Sequence, residues 1–273
     1  ASKRSLGKRV VNWLGFILIQ CVLVLVLLEV VGRVFDPLGI SYYPETARFL
    51  DTMIKEEPIG YRCQPGMSGR FHNATYTINS LGLRDDEFPL EKPEGEKRIL
   101  MLGDSHVFSL GVDDEDCIPK VAERLANEDP KGKMHYRIIN MGVPSYNTEQ
   151  ELVQLKTLGL SLDPDAVVLR FSKNDIESKM WVFDKRASRL ANFAQRSYAA
   201  CLLFSVRRQV KQKLGSPQQL ISIGDYQDGN PRWMTLANSL AEINQICLDA
   251  GIRLLVLVPE GLDVTPYPML VKV

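Results

Sequence analysis

Three short blocks carry residue types that could do chemistry together. The first is Leu102-Gly103-Asp104-Ser105-His106, which closes the apolar run 99–102. A serine just past a strand and opening a helix exposes its hydroxyl at the carboxyl edge of a sheet. Its own N–H then belongs to a helix N-terminus, where developing negative charge is favoured. The second block, Asn140-Met141-Gly142, ends the run 136–140 and brings a glycine amide to the same edge. The third, Phe171-Ser172-Lys173-Asn174-Asp175, follows 166–171 and adds a side-chain amide. One hydroxyl with three oxyanion donors (the Ser105 N–H, the Gly142 N–H and the Asn174 amide) is an arrangement for acyl transfer. Gly-Asp-Ser alone is equally good turn and helix-cap chemistry. The weight comes from three successive strand ends delivering compatible groups.

The elements that must position these groups follow from periodicity. Short apolar runs at 99–102, 136–140, 166–171 and 253–258 predict strands, and helical spacing is found at 118–125, 148–160, within 185–213 and at 233–250. Strands alternating with helices predict an α/β domain with a parallel sheet covered on both faces, whose ligand site lies at the carboxyl ends of the strands. Ahead of it, residues 32–97 are rich in Pro, Gly and Tyr, with an alternating stretch at 70–78. They predict a β-rich preface of short strands and turns.

The combination resembles the SGNH/GDSL hydrolases over about residues 76–260. The preface segment Ile78-Asn79-Ser80-Leu81-Gly82-Leu83-Arg84 before the Gly-Asp-Ser block is similar to membrane-anchored bacterial members of that family. The resemblance implies a three-layer, flavodoxin-like α/β fold over 98–273 and a serine esterase or O-acyl ester hydrolase activity. It makes Ser105 the nucleophile, with Gly142 and Asn174 completing the oxyanion hole. The third block departs from Gly-x-Asn-Asp in having Ser172 at the glycine position, which a negative φ accommodates. The family's base is the histidine of a C-terminal Asp-x-x-His block. The only histidines here are His72, His106 and His135, all before Asp175. His106 adjoins Ser105, His72 belongs to the preface, and His135 precedes its strand at the opposite edge. A serine hydroxyl without a base is a poor nucleophile. The expectation is therefore that this chain is inactive alone. Either an Asp-x-x-His block lies beyond Val273, on a stretch on the order of 50 residues by the size of such domains, or the protein is a non-catalytic accessory subunit of a membrane complex.

Composition sets the surroundings. The 273 residues carry 33 Lys+Arg and 33 Asp+Glu, and this balance excludes a global attraction to nucleic acid. Five cysteines form no C-x-x-C pair and no metal-ligand spacing with the histidines, so neither a metal nor a cofactor is expected. Residues 10–31 form an almost uninterrupted apolar run with one formal charge, Glu29. As a helix it spans roughly 33 Å, enough to cross a hydrocarbon core of roughly 30 Å. It lacks the small-residue exit of a cleaved signal. Lys3, Arg4, Lys8 and Arg9 in the tail 1–9 put the N-terminus in the cytoplasm, and hence the main domain on the periplasmic side of a bacterial inner membrane. Between Lys179 and Lys213 nine basic residues accompany a single acid, Asp184. That segment is either a solvated helix face or a contact for anionic headgroups or an acidic partner.

Overall fold

The computed structural model describes residues 2–36, 39, 42–128, 134–176, 197–213 and 229–258. The chain divides into two compact units, Ala1–Phe49 with Lys185–Gln218, and Leu50–Asp184 with Gln219–Val273.

The larger unit holds the parallel sheet. Strands β5 (Glu96–Leu102), β6 (His135–Asn140), β7 (Ala166–Arg170) and β8 (Arg253–Leu257) are arranged in the order β6-β5-β7-β8, all parallel. Alternation along β5 and β6 sorts their side chains to two faces. Leu100, Leu102 and Ile139 pack with Leu152 and Leu155 of α5 (Thr148–Thr157) and with Trp233, Leu236, Leu240 and Ile243 of α7 (Pro231–Asp249). Met101, Ile138 and Val107 form the core of the opposite face, with Ala122 of α4 (Ile118–Ala126) against them. The result is a three-layer α/β unit, as the strand–helix alternation predicts.

Two differences from the sequence expectation have a physical cause. Strand β5 begins at Glu96, ahead of the apolar run, because Glu96, Lys97 and Arg98 pair with residues 135–137. Arg98 is accommodated in that interior by donating to Glu96 and to the carbonyls of Leu90 and Leu162. The helix predicted over 148–160 ends at Thr157, and Gly159–Leu162 tightens into a 3-10 turn.

The preface supplies two antiparallel hairpins, β1 (Ile54–Glu56) with β2 (Gly60–Arg62), and β3 (Ser68–Phe71) with β4 (Ala74–Thr77). They belong to the same compact unit as the sheet. Tyr61 donates to the Pro144 carbonyl at 2.9 Å, Tyr146 returns a hydrogen bond to the Tyr61 carbonyl, and Gln150 donates to Ile59. The β1–β2 hairpin thus lies on the segment that follows β6.

The smaller unit contains α1 (Ser2–Phe35), α2 (Tyr42–Leu50) and α6 (Tyr198–Lys213). Within α1, Val11–Phe35 is 25 residues long, and its most apolar 18-residue window has a mean hydropathy of 2.8 and is not buried. That is one helix long and apolar enough to cross a membrane. Glu29 is the one formal charge of the apolar run; in the structure its carboxylate accepts from Arg33 at 2.6 Å, Ser197 Oγ at 2.8 Å and the Ala199 N–H at 3.0 Å. It caps the first turn of α6. Residues 179–196 of the basic segment lie outside the described residues.

Candidate functional site

Strand order reverses at β5: the chain passes from β5 to β6 on one side and then to β7 on the other. The crevice at such a switch point, outside the carboxyl ends of β5 and β7, is where α/β sheets bind ligands. Ser105 leaves β5 there, and the 3-10 turn Lys173–Ile176 leaves β7 there. Asp104 is the N-cap of α3 (Ser105–Phe108), and its buried carboxylate accepts the His106 N–H at 2.9 Å. With residue 104 fixed, Ser105 is half-buried and its hydroxyl has no hydrogen-bond partner among the described residues. Helix α3 has only four residues, so its dipole contributes less than the sequence pattern suggests.

The parallel ladder runs on past β6. Met141 donates to Met101 at 3.0 Å and Val143 to Gly103 at 3.1 Å, which draws the Gly142 block against the Ser105 turn. A Cβ on Gly142 would lie 2.2 Å from Phe108 N and 2.6 Å from Val107 C, so glycine is required by close backbone approach. The Gly142 N–H is directed at Asn140 Oδ1, 3.0 Å away, while Asn140 Nδ2 is buried without a partner. As an oxyanion donor this amide has to leave an acceptor it already holds. The backbone of Asn174 is in the turn after β7, and its side chain lies outside what the structure describes. Ser172 keeps a negative φ at the position where the family pattern has glycine, and its N–H donates to Asp175 Oδ2 at 2.9 Å.

None of the three histidines is hydrogen-bonded to the Ser105 hydroxyl. His106 Nδ1 is 2.9 Å from Asp104 Oδ1, on the ring's own helix turn. His72 Nδ1 is 2.9 Å from the Tyr76 hydroxyl. His135 is exposed and pairs with Glu96 at the amino end of the sheet, opposite Ser105. Among the described residues no cluster of His, Cys, Asp or Glu is arranged to hold a metal ion.

Behind the Ser105 turn lies a group that local sequence reading misses. Asp104, Glu151 and Asp175 are all buried, and Glu151 is 0% exposed with neither carboxylate oxygen hydrogen-bonded. Among the described residues Arg170 acts on this group: it donates to Ser172 and stands 3.7 Å from Asp104. Burial, and then the charges of Asp175 and Asp104, push the Glu151 carboxyl well above the usual carboxylate range; Arg170 opposes this. Asp175 is pushed up by burial and by Asp104, against the pull of the Ser172 N–H. A carboxyl whose pKa is higher folded than unfolded binds its proton more tightly in the native state. Stability then falls as pH rises from about 4.3, the ordinary glutamate value, through the folded value, and is flat above it. Glu151→Gln should therefore raise the melting temperature at pH 8, by about 2–4 °C per kcal/mol relieved. The gain should shrink toward pH 5, and thermal unfolding followed by circular dichroism across that range checks both.

Two more buried charges were not legible as such. Asn79 Oδ1 accepts the N–H groups of Leu81 and Leu83, both at 3.0 Å, and Gly82 takes φ 77°. This turn presents Arg84 and Asp85 to different parts of the site. Arg84 donates to the carbonyls of Phe108 and Ser109, just after the Ser105 turn. Asp85 accepts from Arg137 at 2.7 Å and from the Asn140 N–H at 3.1 Å, at the end of β6. The preface motif therefore holds the first two chemical blocks in place.

No protein-family model and no curated protein matches the chain. Solved structures similar to it are SGNH/GDSL esterases and lipases. The SGNH-hydrolase family esterase AlinE4 is 16% identical, covering 60% of this chain and 77% of its own, at a TM-score of 0.29. A lipase/acylhydrolase from Enterococcus faecalis is 20% identical, covering 58% and 74%, at 0.25. The psychrotrophic esterase EstA from Pseudoalteromonas sp. is 16% identical, covering 59% and 77%, at 0.28.

Proposed function

We propose that the chain is an SGNH/GDSL-type protein held in a membrane by α1, with its larger unit on the extracytoplasmic face and Ser105 as the nucleophile of an ester hydrolase or O-acyl transfer site. The observation that carries this reading is the Ser105 hydroxyl, without a hydrogen-bond partner among the described residues, at the carboxyl end of β5 and the switch point of the sheet. Acylation would transfer the Ser105 proton to a base, place the acyl carbonyl oxygen among the Ser105 N–H, the Gly142 N–H and the Asn174 amide, and release the alcohol. Water or a sugar hydroxyl would then take the acyl group. No described imidazole can accept that proton, so the 273 residues alone are inactive. The test is to supply a base. A chain extended by whatever follows Val273 in its gene, if that stretch contains Asp-x-x-His, should hydrolyse an activated acetyl ester, and Ser105→Ala should abolish the activity. An extended chain with that block but without Ser105-dependent turnover would refute the enzyme reading.

A second reading, a non-catalytic subunit of a larger membrane complex, is favoured by the Gly142 N–H already bonded to Asn140. Gentle extraction followed by native electrophoresis separates the two. A lone monomer across mild detergents and low salt contradicts the subunit reading.

The topology is tested independently. Protease added to right-side-out spheroplasts should digest the chain beyond about residue 40 and spare the basic tail 1–9, because positive charge is retained on the cytoplasmic side. Protection of the larger unit would reverse the orientation.

A further inference from the structure

The smaller unit contains a helix whose place is fixed by the apolar span. Glu29 holds Ser197 Oγ and the Ala199 N–H, and Ser197 Oγ in turn accepts from Ala200 at 3.2 Å, so the first turn of α6 is capped from α1. Gly32 is buried beneath Tyr198, where a Cβ would come within 2.0 Å of the ring. Tyr198 and Cys201 are buried, with Leu202 packed against them. This side of α6 is therefore spent. Further along the helix, Leu203 is 70% exposed, Val206 is 49% exposed, and Arg207 is exposed beside them. The sequence of α6 contains Arg207, Arg208, Lys211 and Lys213 and no acidic residue.

The level of this helix follows from that of its clamp. Glu29 lies 18 residues beyond Val11, where the span begins. At 1.5 Å per residue that is roughly 27 Å, close to the far boundary of a hydrocarbon core of roughly 30 Å. A helix starting at that boundary with four basic side chains is not stable within hydrocarbon. With Leu203 and Val206 open, it is also poorly suited to water alone. Apolar residues next to basic ones in a helix without acidic residues suit the headgroup layer, the apolar side chains dipping toward the acyl chains and the cations meeting lipid phosphates.

We propose that α6 is an interfacial helix that binds the anionic lipid surface of the outer-facing leaflet. Its first turn is locked to the membrane span by Glu29 and Gly32. This deepens the proposed membrane anchoring and rests on it.

The test uses the full chain in nanodiscs of phosphatidylcholine alone, or with about 30% phosphatidylglycerol, read by amide hydrogen exchange. Amides of residues 203–213 should exchange at least about ten-fold more slowly in the anionic discs. High salt should remove the difference, as should the paired variant Arg207→Glu with Lys211→Glu. Gly32→Ala, which drives the Tyr198 ring off α1, should reduce it. Equal exchange in both discs would overturn the proposal. So would protection that appears in native membranes and not in the anionic discs, which would point to an acidic protein partner. Failure of the chain to enter discs at all would instead refute the anchor reading, so the two failures are distinguishable.

Discussion

Replacing Arg84 with methionine should unfold the larger unit at ambient temperature. The side chain is 1% exposed, and every N–H-bearing nitrogen of its guanidinium is engaged. Nε donates to Asp114 at 2.9 Å, Nη1 to the carbonyls of Phe108 and Ser109 at 2.8 and 2.7 Å, and Nη2 to those of Thr75 and Val112 at 3.0 and 2.5 Å. The guanidinium also lies 4.1 Å from the centre of the Tyr76 ring. Methionine keeps the stem and leaves four backbone carbonyls and one carboxylate without their donor. The Phe108 and Ser109 bonds are buried and the other three partly so; each buried acceptor left unsatisfied costs about 1–3 kcal/mol, against a domain stability of about 5–15 kcal/mol. The loss is comparable with the whole. Lysine keeps the charge but cannot reach five acceptors from one nitrogen, so Arg84→Lys should fall well short of rescue. Near-ultraviolet circular dichroism at 25 °C checks this: a native spectrum for Arg84→Met would contradict the role assigned to that side chain.

The second large effect is expected at Gly142→Ala. The added carbon would meet Phe108 N at 2.2 Å, Val107 C at 2.6 Å and Phe108 Cα at 2.9 Å, all backbone atoms of the turn that carries Ser105. Neither side can yield as a flexible side chain would. Separation of the two segments would break the Val143 to Gly103 hydrogen bond. A cost of about 3 kcal/mol or more follows, a fall in melting temperature of roughly 6–12 °C for a domain of this size. This outcome separates two roles of the residue. A glycine needed only for its N–H would tolerate alanine in a melting experiment, whereas one needed for close approach would not.

How much of this could be read from the residues depends on the kind of interaction. Periodicity locates β6, β7, β8, α4 and α7 to within a few residues, because their apolar positions face the cores on the two sides of the sheet. The ends of β5, β6 and β7 carry Ser105, Gly142 and the Asn174 turn to one edge of the sheet, as the three blocks imply. What local pattern hides is long-range charge burial. Arg84, Asp85 and Arg98 look like surface residues until partners far along the chain are folded against them. Glu151 follows Thr148-Glu149-Gln150 in what reads as a solvated helix start, yet α5 turns it inward. Glu29 reads as a polar interruption of an apolar helix, and only the fold supplies Ser197 and the Ala199 N–H as its partners.

The proposed function makes Ser105 a nucleophile with no described imidazole to serve it as a base. The most direct measurement is hydrolysis of p-nitrophenyl acetate by the purified chain in mild detergent, compared with Ser105→Ala under identical conditions at pH 7 to 8. The account predicts equal background rates for the two proteins, since losing a member of a serine triad costs several orders of magnitude. Turnover by the parent chain that disappears in Ser105→Ala would show that a group within these residues takes the Ser105 proton, and would contradict it.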